Sequence, residues 1–455
     1  MKRESMISYH LPEFCIVRLQ GKDVSTWLHR LVTTHVKAMP THHSAWSYLL
    51  DAKGKIQFAF EIICYDPHKD NGQMNDSSPI YDCIIECAHA DAFMQQLDHF
   101  LFTEDVKIQR LTHQCIRIID HEQIESTHTA TQQTANKIWT FVYQKLAVSI
   151  QDHIPPQLNT HVSTDGDESH IQRLSHQNPS FEMRRSAQKT YLYCDQAILF
   201  YSNVRSKRSV HVNAPAQFSH AEWDLWLPVE QIEKLIRLNS NQECTLYDLA
   251  SYHSLHTYWG LASHTLYYAQ PAYSAIDFGT HGIDDNKGCY PGQEVVERSI
   301  ALGRAARSCI SLHTQVACSV FETYIQQLLN ESEHETLPQA NLTRYTEDQP
   351  WWNVLNSNTS YSSIQQVHYL SHMHSPLYAS VAHTVGDDDD QSKQHTTTQK
   401  PIGHLDSIVA VFHQDFVALH ALAMIKNKKD PVVHFYTPSL SISWHRSFIS
   451  ISSDS

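Results

Sequence analysis

Apolar positions recur every three or four residues at Val24, Trp27, Leu28, Leu31 and Val32, the spacing of one helix face. Gly21-Lys-Asp23 precedes this stripe, and Asp23 is placed to accept from the first free amides of the helix. The pattern then changes. Trp46–Leu50 and Ile56–Ile63 are apolar runs of strand length, and the glycine in the link Asp51-Ala-Lys-Gly54-Lys55 predicts a β-hairpin. Tyr81–Cys87 predicts a further strand, and Phe93, Leu97, Phe100 and Leu101 a second helical stripe. Val106–Ile108 and Cys115–Ile119 are strand-like and close a first α+β unit over residues 9–119.

Beyond that unit the contrast between apolar and polar positions fades. Residues 120–137 and 151–189 are rich in Gln, His, Thr and Asp, and such stretches bury too little apolar surface to offset their ordering entropy, which predicts surface insertions. Tyr191–Tyr201 and Ser209–Val212 return to strand composition, and Ile232, Leu235 and Ile236 share one face of a helix over Val229–Leu238. A second α+β segment is assigned to 138–307 on these elements. Another polar insertion is expected at about 314–400, with the apolar island Trp351-Trp352 and the tracts Asp387–Asp390 and Thr396–Thr398. Ile402–Phe412, Phe416–Ile425 and Val432–Tyr436 then predict strands of a small terminal β domain within 308–455. The fold class is α+β.

With 455 residues the chain is long enough for two or three domains with cores of their own. A formal charge of −14 argues against strong direct binding of nucleic acid, which needs a basic stripe for the phosphates. The ten cysteines stand at 15, 64, 83, 87, 115, 194, 244, 289, 309 and 318, without a Cys-x-x-Cys pair or zinc-ribbon spacing. The opening Met-Lys-Arg-Glu-Ser-Met-Ile-Ser-Tyr-His has no apolar signal core, and no apolar run approaches the ~20 residues that cross a bilayer. Scattered thiols in such a chain are expected to be free, in a cytoplasmic protein without a membrane partner.

One segment carries specific chemistry. Lys287-Gly-Cys-Tyr-Pro-Gly-Gln-Glu294 frames a thiol between two glycines, which permit tight or left-handed backbone and close approach by a ligand. Gln293 through Arg298 can begin a helix with Pro291 near its first turn. Cys289 then lies just ahead of a helix N-terminus and beside Lys287, and both the dipole and the ammonium favour thiolate. Taken alone, a loop cysteine is as readily a small core residue, and no histidine stands beside Cys289 as a basic partner.

This segment resembles the signature Lys-Gly-Cys-Tyr-x-Gly-Gln-Glu of the YgfZ family, which is related to the glycine-cleavage T-protein. Val17-Arg-Leu-Gln-Gly21 with the Trp27–Leu31 helix, the Leu49–Lys55 hairpin, Gly303-Arg304 with Arg307, and Gly403 through Ile425 are similar to further parts of that family. The resemblance implies a T-protein-like fold of two α+β domains and a small C-terminal β-barrel, ringed around a tetrahydrofolate site, with the cysteine loop at its edge. It implies Cys289 as the functional thiol and Lys287 as support for its anionic form. Gly288 and Gly292 would shape the loop, Tyr290 would pack on it or face a ligand, and Gln293 and Glu294 complete the motif. Arg298 and Arg304 would neutralise the glutamate tail of a folate, or serve as solvated surface charges. The chain departs from the family where Arg-x-Glu-x-Gly is replaced by His256-Thr-Tyr258-Trp-Gly260, and where Gly-Ile-Ser-Phe is replaced by Gly282-Ile-Asp-Asp-Asn286.

The resemblance implies a folate-binding accessory protein for iron–sulfur cluster assembly or repair, with assembly proteins or client enzymes as partners and an indirect effect on tRNA modification. It points to an assembly factor rather than a metabolic enzyme. One thiolate is a poor cluster site, so any cluster would need ligands from elsewhere. The alternatives are a tetrahydrofolate-dependent aminomethyl transferase and a non-catalytic scaffold. The transferase needs a carboxylate near the transferring nitrogen, for which Asp105 is available without being singled out. His368, His372 and His374 lack a carboxylate or cysteine at ligand spacing, and Asp387–Asp390 has no calcium-loop frame, so no metal site is assigned.

Overall fold

A computed structural model of the chain describes residues 6–41, 43–65, 79–120, 182–186, 189–194, 197–202, 221–238, 246–262, 264–268, 272–302, 305–331, 341–345, 366–371, 375–379, 400–427, 434–437 and 442–446. In chain order, β1 (Met6–Leu11) and β2 (Phe14–Gln20) precede α1 (Val24–Leu31), and β3 (His43–Leu50) and β4 (Ile56–Tyr65) follow. β5 (Ile80–Glu86) runs directly into α2 (Cys87–His99), then come β6 (Lys107–Arg110) and β7 (His113–Asp120). Next are β8 (Glu182–Ser186), β9 (Lys189–Cys194), β10 (Ala197–Tyr201), β11 (Ala221–Pro228), α3 (Val229–Leu238), β12 (Leu246–Tyr247), α4 (Leu249–Tyr258) and α5 (His264–Tyr267). A 3-10 turn at Ala275–Phe278 leads to α6 (Gln293–Ala301), β13 (Arg307–Val316) and α7 (Cys318–Glu331). The last elements are β14 (Asn341–Tyr345), β15 (Gln366–Ser371), β16 (Ser375–Ala379), β17 (Gly403–Phe412), β18 (Val417–Lys426), β19 (His434–Thr437) and β20 (Ile442–Arg446).

Three sheets organise the described residues. The first runs β3-β4-β5-β2-β6. Its outer face is covered by α1 and α2, whose Val24, Trp27, Leu28, Leu31, Phe93 and Leu97 meet the sheet in one core. The apolar side chains therefore recur at helical spacing because one stripe of each helix is buried. Asp23 stands at the N-cap of α1 but does not cap it, contrary to expectation. Its Oδ2 accepts instead from the Asp105 amide at 2.8 Å, a longer-range tie between loops.

The second sheet runs β12-β1-β7-β11-β10-β9-β8. Cys115–Ile119 thus does not close the first unit: β7 pairs with β1 on one side and β11 on the other. Alternation identifies a strand but not its partner, which explains the difference. The segment 151–189, expected as an insertion, contributes strand residues Glu182–Ser186.

The third sheet closes on itself. β17 pairs with β18, β18 with β13, β13 with β20, β20 with β19, β19 with β16, and β16 with the start of β17, giving a six-stranded barrel. β15 continues from the second half of β17 and carries β14 at its edge. Residues 314–400 are accordingly not a single polar insertion, since α7 and β14–β16 come from them. Their composition concealed this because each strand is five or six residues long and contributes only a few core side chains, such as Val367, Tyr369, Leu370 and Leu377. The expected strand Ser209–Val212, the Trp351-Trp352 island, the histidines 372 and 374 and the acidic tract 387–390 lie outside the described residues. His368 is a buried β15 residue packed on Phe412, with ring centres 4.5 Å apart.

All three sheets meet in one core. Tyr9, Leu11 and Trp226 of the second sheet, Phe14, Ile63 and Ile84 of the first, and Val367, Val409 and Val411 of the third pack together with Tyr252, Leu255 and Trp259. α4 fills this junction, and its residues Ser251–Thr257 are buried on every face.

Candidate functional site

The Lys287–Glu294 segment lies against the β3–β4 hairpin. Asp51 Oδ1 accepts from the amides of Lys53 and Lys55 at 2.8 Å each, closing the turn around its own carboxylate. Gly292 sits directly on that turn with φ +77°, and a Cβ there would stand 2.4 Å from the Asp51 carbonyl oxygen and 2.8 Å from Gly54 Cα. Glycine is therefore required twice, for the left-handed backbone and for the approach. Gly292 also begins α6: its carbonyl accepts from Val295 and Val296 at 3.2 and 3.3 Å. Two segments far apart in sequence are thus one structural unit.

The approach to the motif is fastened to the end of α1. Thr33 donates its hydroxyl to the Gly282 carbonyl, and the Asp284 amide donates to the Thr33 carbonyl at 3.2 Å. The His35 amide donates to Asp284 Oδ2. Gly282 packs on Trp46, where a Cβ would meet the indole Cδ1 at 2.7 Å. Within Gly282–Asn286, the Asp284 side chain therefore ties the loop down.

Lys287 is buried, at 6% exposure, and its Nζ donates to the His29 backbone carbonyl. The ammonium lies 5.0 Å from the centre of the Tyr290 ring. Burial pushes Lys287 down to about 8, opposed by the nearby Asp284 and Cys289. His29 is pushed down to about 4 by burial and by the Lys287 ammonium, so it is neutral beside the loop, and its ring lies 4.6 Å from that of His35. Tyr290 packs inward with Trp46, Tyr48, Leu50, Ile56 and Val296, and burial raises its phenol to about 12. Cys289, between these two buried anchors, is exposed.

The remaining expected residues are distributed differently. Gln293 bonds Glu297, and Glu294 pairs with Arg298 at 2.8 Å, all on the solvent side of α6. Arg298 is 69% exposed. Arg304 lies outside the described residues. Asp105 is exposed on a turn held to Asp23. Gly288 leaves its surroundings open, with only His29 Nε2 within 4 Å of a Cβ position, at 3.8 Å.

A second constellation occupies the three-sheet junction and escaped the sequence reading. Arg117 on β7 forms a two-pronged pair with Asp224 on β11, at 2.7 and 2.9 Å, and donates to the Tyr252 hydroxyl at 2.8 Å. All three are fully buried, and the guanidinium lies 5.2 Å from the Phe14 ring centre. Glu222 follows on the same face of β11, with Tyr252 Oη at 3.4 Å and His256 Nε2 at 3.5 Å. Ser202 donates to Glu61 at 2.6 Å, joining the second sheet to the first. The signal was present: Arg117 interrupts Cys115–Ile119 and Asp224 interrupts Trp223–Leu227, both in otherwise apolar strands.

No family model matches the chain, and no curated protein sequence matches it. Among solved structures, the chain is similar to the crystal structure of the glycine cleavage system aminomethyltransferase T from Bartonella henselae. That likeness has a TM-score of 0.51 at 13% identity and covers 99% of this chain and 86% of the other. The fold is T-protein-like: mixed α+β sheets with a closed six-stranded barrel.

Proposed function

We propose that a chain with this T-protein-like fold serves as a folate-binding accessory protein in iron–sulfur cluster assembly or repair, with Cys289 as its functional thiol. The observation that carries the reading is the presentation of that sulfur. Cys289 is exposed, and its loop is fastened by Lys287, Tyr290, Gly292 and Asp284. Rigid backbone on both sides of an outward thiol favours contact with a partner or a sulfur species over a packing role. By the same reading its partners are assembly proteins or iron–sulfur client enzymes, and the effect on tRNA modification passes through those clients.

The polar groups of the three-sheet junction are those a folate would draw on. Trp226 Nε1 is buried there without a hydrogen-bond partner, and Glu222 offers a carboxylate two strand positions from Asp224 on the same face. A buried indole donor and a buried carboxylate on one face of β11, four positions apart, offer a pterin two separate polar contacts. Trp226 and Glu222 would hold it at these two points, and Arg117 and Tyr252 would keep the Glu222 face in place. When bound, tetrahydrofolate supplies a carrier for one-carbon units.

Calorimetric titration with tetrahydrofolate tests the folate part directly. Wild type should bind, Cys289→Ser should bind equally, and Trp226→Phe should bind about fivefold more weakly through loss of one hydrogen bond. Absence of binding by wild type would remove folate from the account and leave a thiol-bearing scaffold.

A further inference from the structure

The strand registers of the first sheet bring two other thiols together. Cys15 stands opposite Ile85 across β2–β5, and the Cys87 amide donates to the Glu13 carbonyl at 2.6 Å, which carries the pairing past β5 and brings Cys87 to the Cys15 face. Val17 stands opposite Arg110 across β2–β6, which puts Arg110 on that face as well. It is the face that α2 covers, with Cys15, Val17, Ile85 and Phe93 in one core and Cys87 at its margin. Cys87 is the first residue of α2, and Asp91 lies one turn further on. Arg110 Nη1 reaches Asp91 Oδ1 at 3.3 Å, which holds its guanidinium against the helix turn that Cys87 begins. The Cys87 sulfur donates to the Pro12 carbonyl at 3.4 Å, and buried Cys15 lies in the adjoining core.

We infer that Cys87 and Cys15 form a reactive dithiol, in which half-exposed Cys87 is the nucleophile toward small disulfides and buried Cys15 resolves the adduct. Placement on the first turn of a thirteen-residue helix favours an anionic sulfur, as does the Arg110 guanidinium. Interaction with the Cys15 thiol is the largest influence and, with Arg110, holds Cys87 down to about 6 against the opposing effects of burial and Glu13. Cys15 is pushed far up by the Cys87 sulfur and by burial. Glu86 also faces the site, and burial together with Glu13 and Cys87 raises it to about 7. His89 lies 3.8 Å from Glu86 and is lowered by burial.

The chemistry balances with a low-molecular-weight disulfide as oxidant. The Cys87 thiolate attacks one sulfur of the disulfide, its S–S bond breaks, and one thiolate leaves. Cys15 then releases its proton to solvent and attacks Cys87 Sγ, expelling the second thiolate. The dithiol loses two electrons, and the small disulfide gains them as two thiols.

The test uses the full chain with oxidised glutathione at neutral pH, followed by proteolysis and mass spectrometry. Wild type should yield a Cys15–Cys87 linked peptide, and Cys15→Ala should stop at a glutathione adduct on Cys87. Iodoacetamide labelling of wild-type Cys87 against pH supplies a readout that needs no variant. Its midpoint should fall near 6 rather than the ordinary thiol value of about 8.5, and Arg110→Gln should raise it. A midpoint at the ordinary value, or Cys87 left unmodified by glutathione while Cys289 is modified, would overturn the inference.

Discussion

Gly292 occupies a point where two backbones nearly touch. A methyl group there would have to displace the Asp51 carbonyl from 2.4 Å while the residue held φ +77°. Gly292→Ala is expected to destabilise by about 2–4 kcal/mol, from left-handed strain plus a backbone clash, and denaturant unfolding measures it. Lys287 provides a prediction of different kind. Its folded value of about 8 lies below the ordinary ~10.4, so the buried ammonium disfavours the folded state at neutral pH. Between those values the unfolded chain binds more protons, so this group's contribution makes stability rise with pH across that window. Lys287→Met should flatten the rise, as read from urea midpoints at pH 7.5 and 10 against wild type. The motif was legible because its glycines and proline are unusual neighbours. The chemistry fastening it was not, since Thr33, His35 and Asp284 are ordinary residues whose partners lie 249 positions away or in backbone amides.

At the scale of elements, the hairpin turn supports the thiol loop from below. Asp51→Ala removes an acceptor serving two amides, and should cost about 1–2 kcal/mol. Because Gly292 seats on the turn, hydrogen exchange at the start of α6 should also accelerate, which exchange mass spectrometry detects. The hairpin, α1, α2 and α6 were readable because each contrasts a buried side with a polar one or is framed by turn residues. α4 had no such contrast: Tyr252, Ser254, His256 and Thr257 are all buried, so periodicity was silent. The strands β14–β16 were missed for the opposite reason, being too short to outweigh the polar residues around them.

For the whole molecule, the charges enclosed where three sheets meet must stay paired. Arg117→Met would leave Asp224 buried without its partner and should destabilise by about 3–5 kcal/mol, whereas Arg117→Met combined with Asp224→Leu should recover most of that loss. Chemical denaturation of the single and double variants distinguishes the two outcomes. The fold class followed from strand and helix patterns, but the ring of contacts at the junction could not, because β7 finds partners on both sides that lie far off in sequence. The T-protein likeness at 13% identity accords with a fold maintained by burial pattern more than by particular residues. The proposed role of Cys289 is tested most directly by complementing a strain that lacks its YgfZ-type factor and assaying an iron–sulfur tRNA-modifying enzyme. Wild type should restore the modification and Cys289→Ser should not; equal restoration by both would contradict the account.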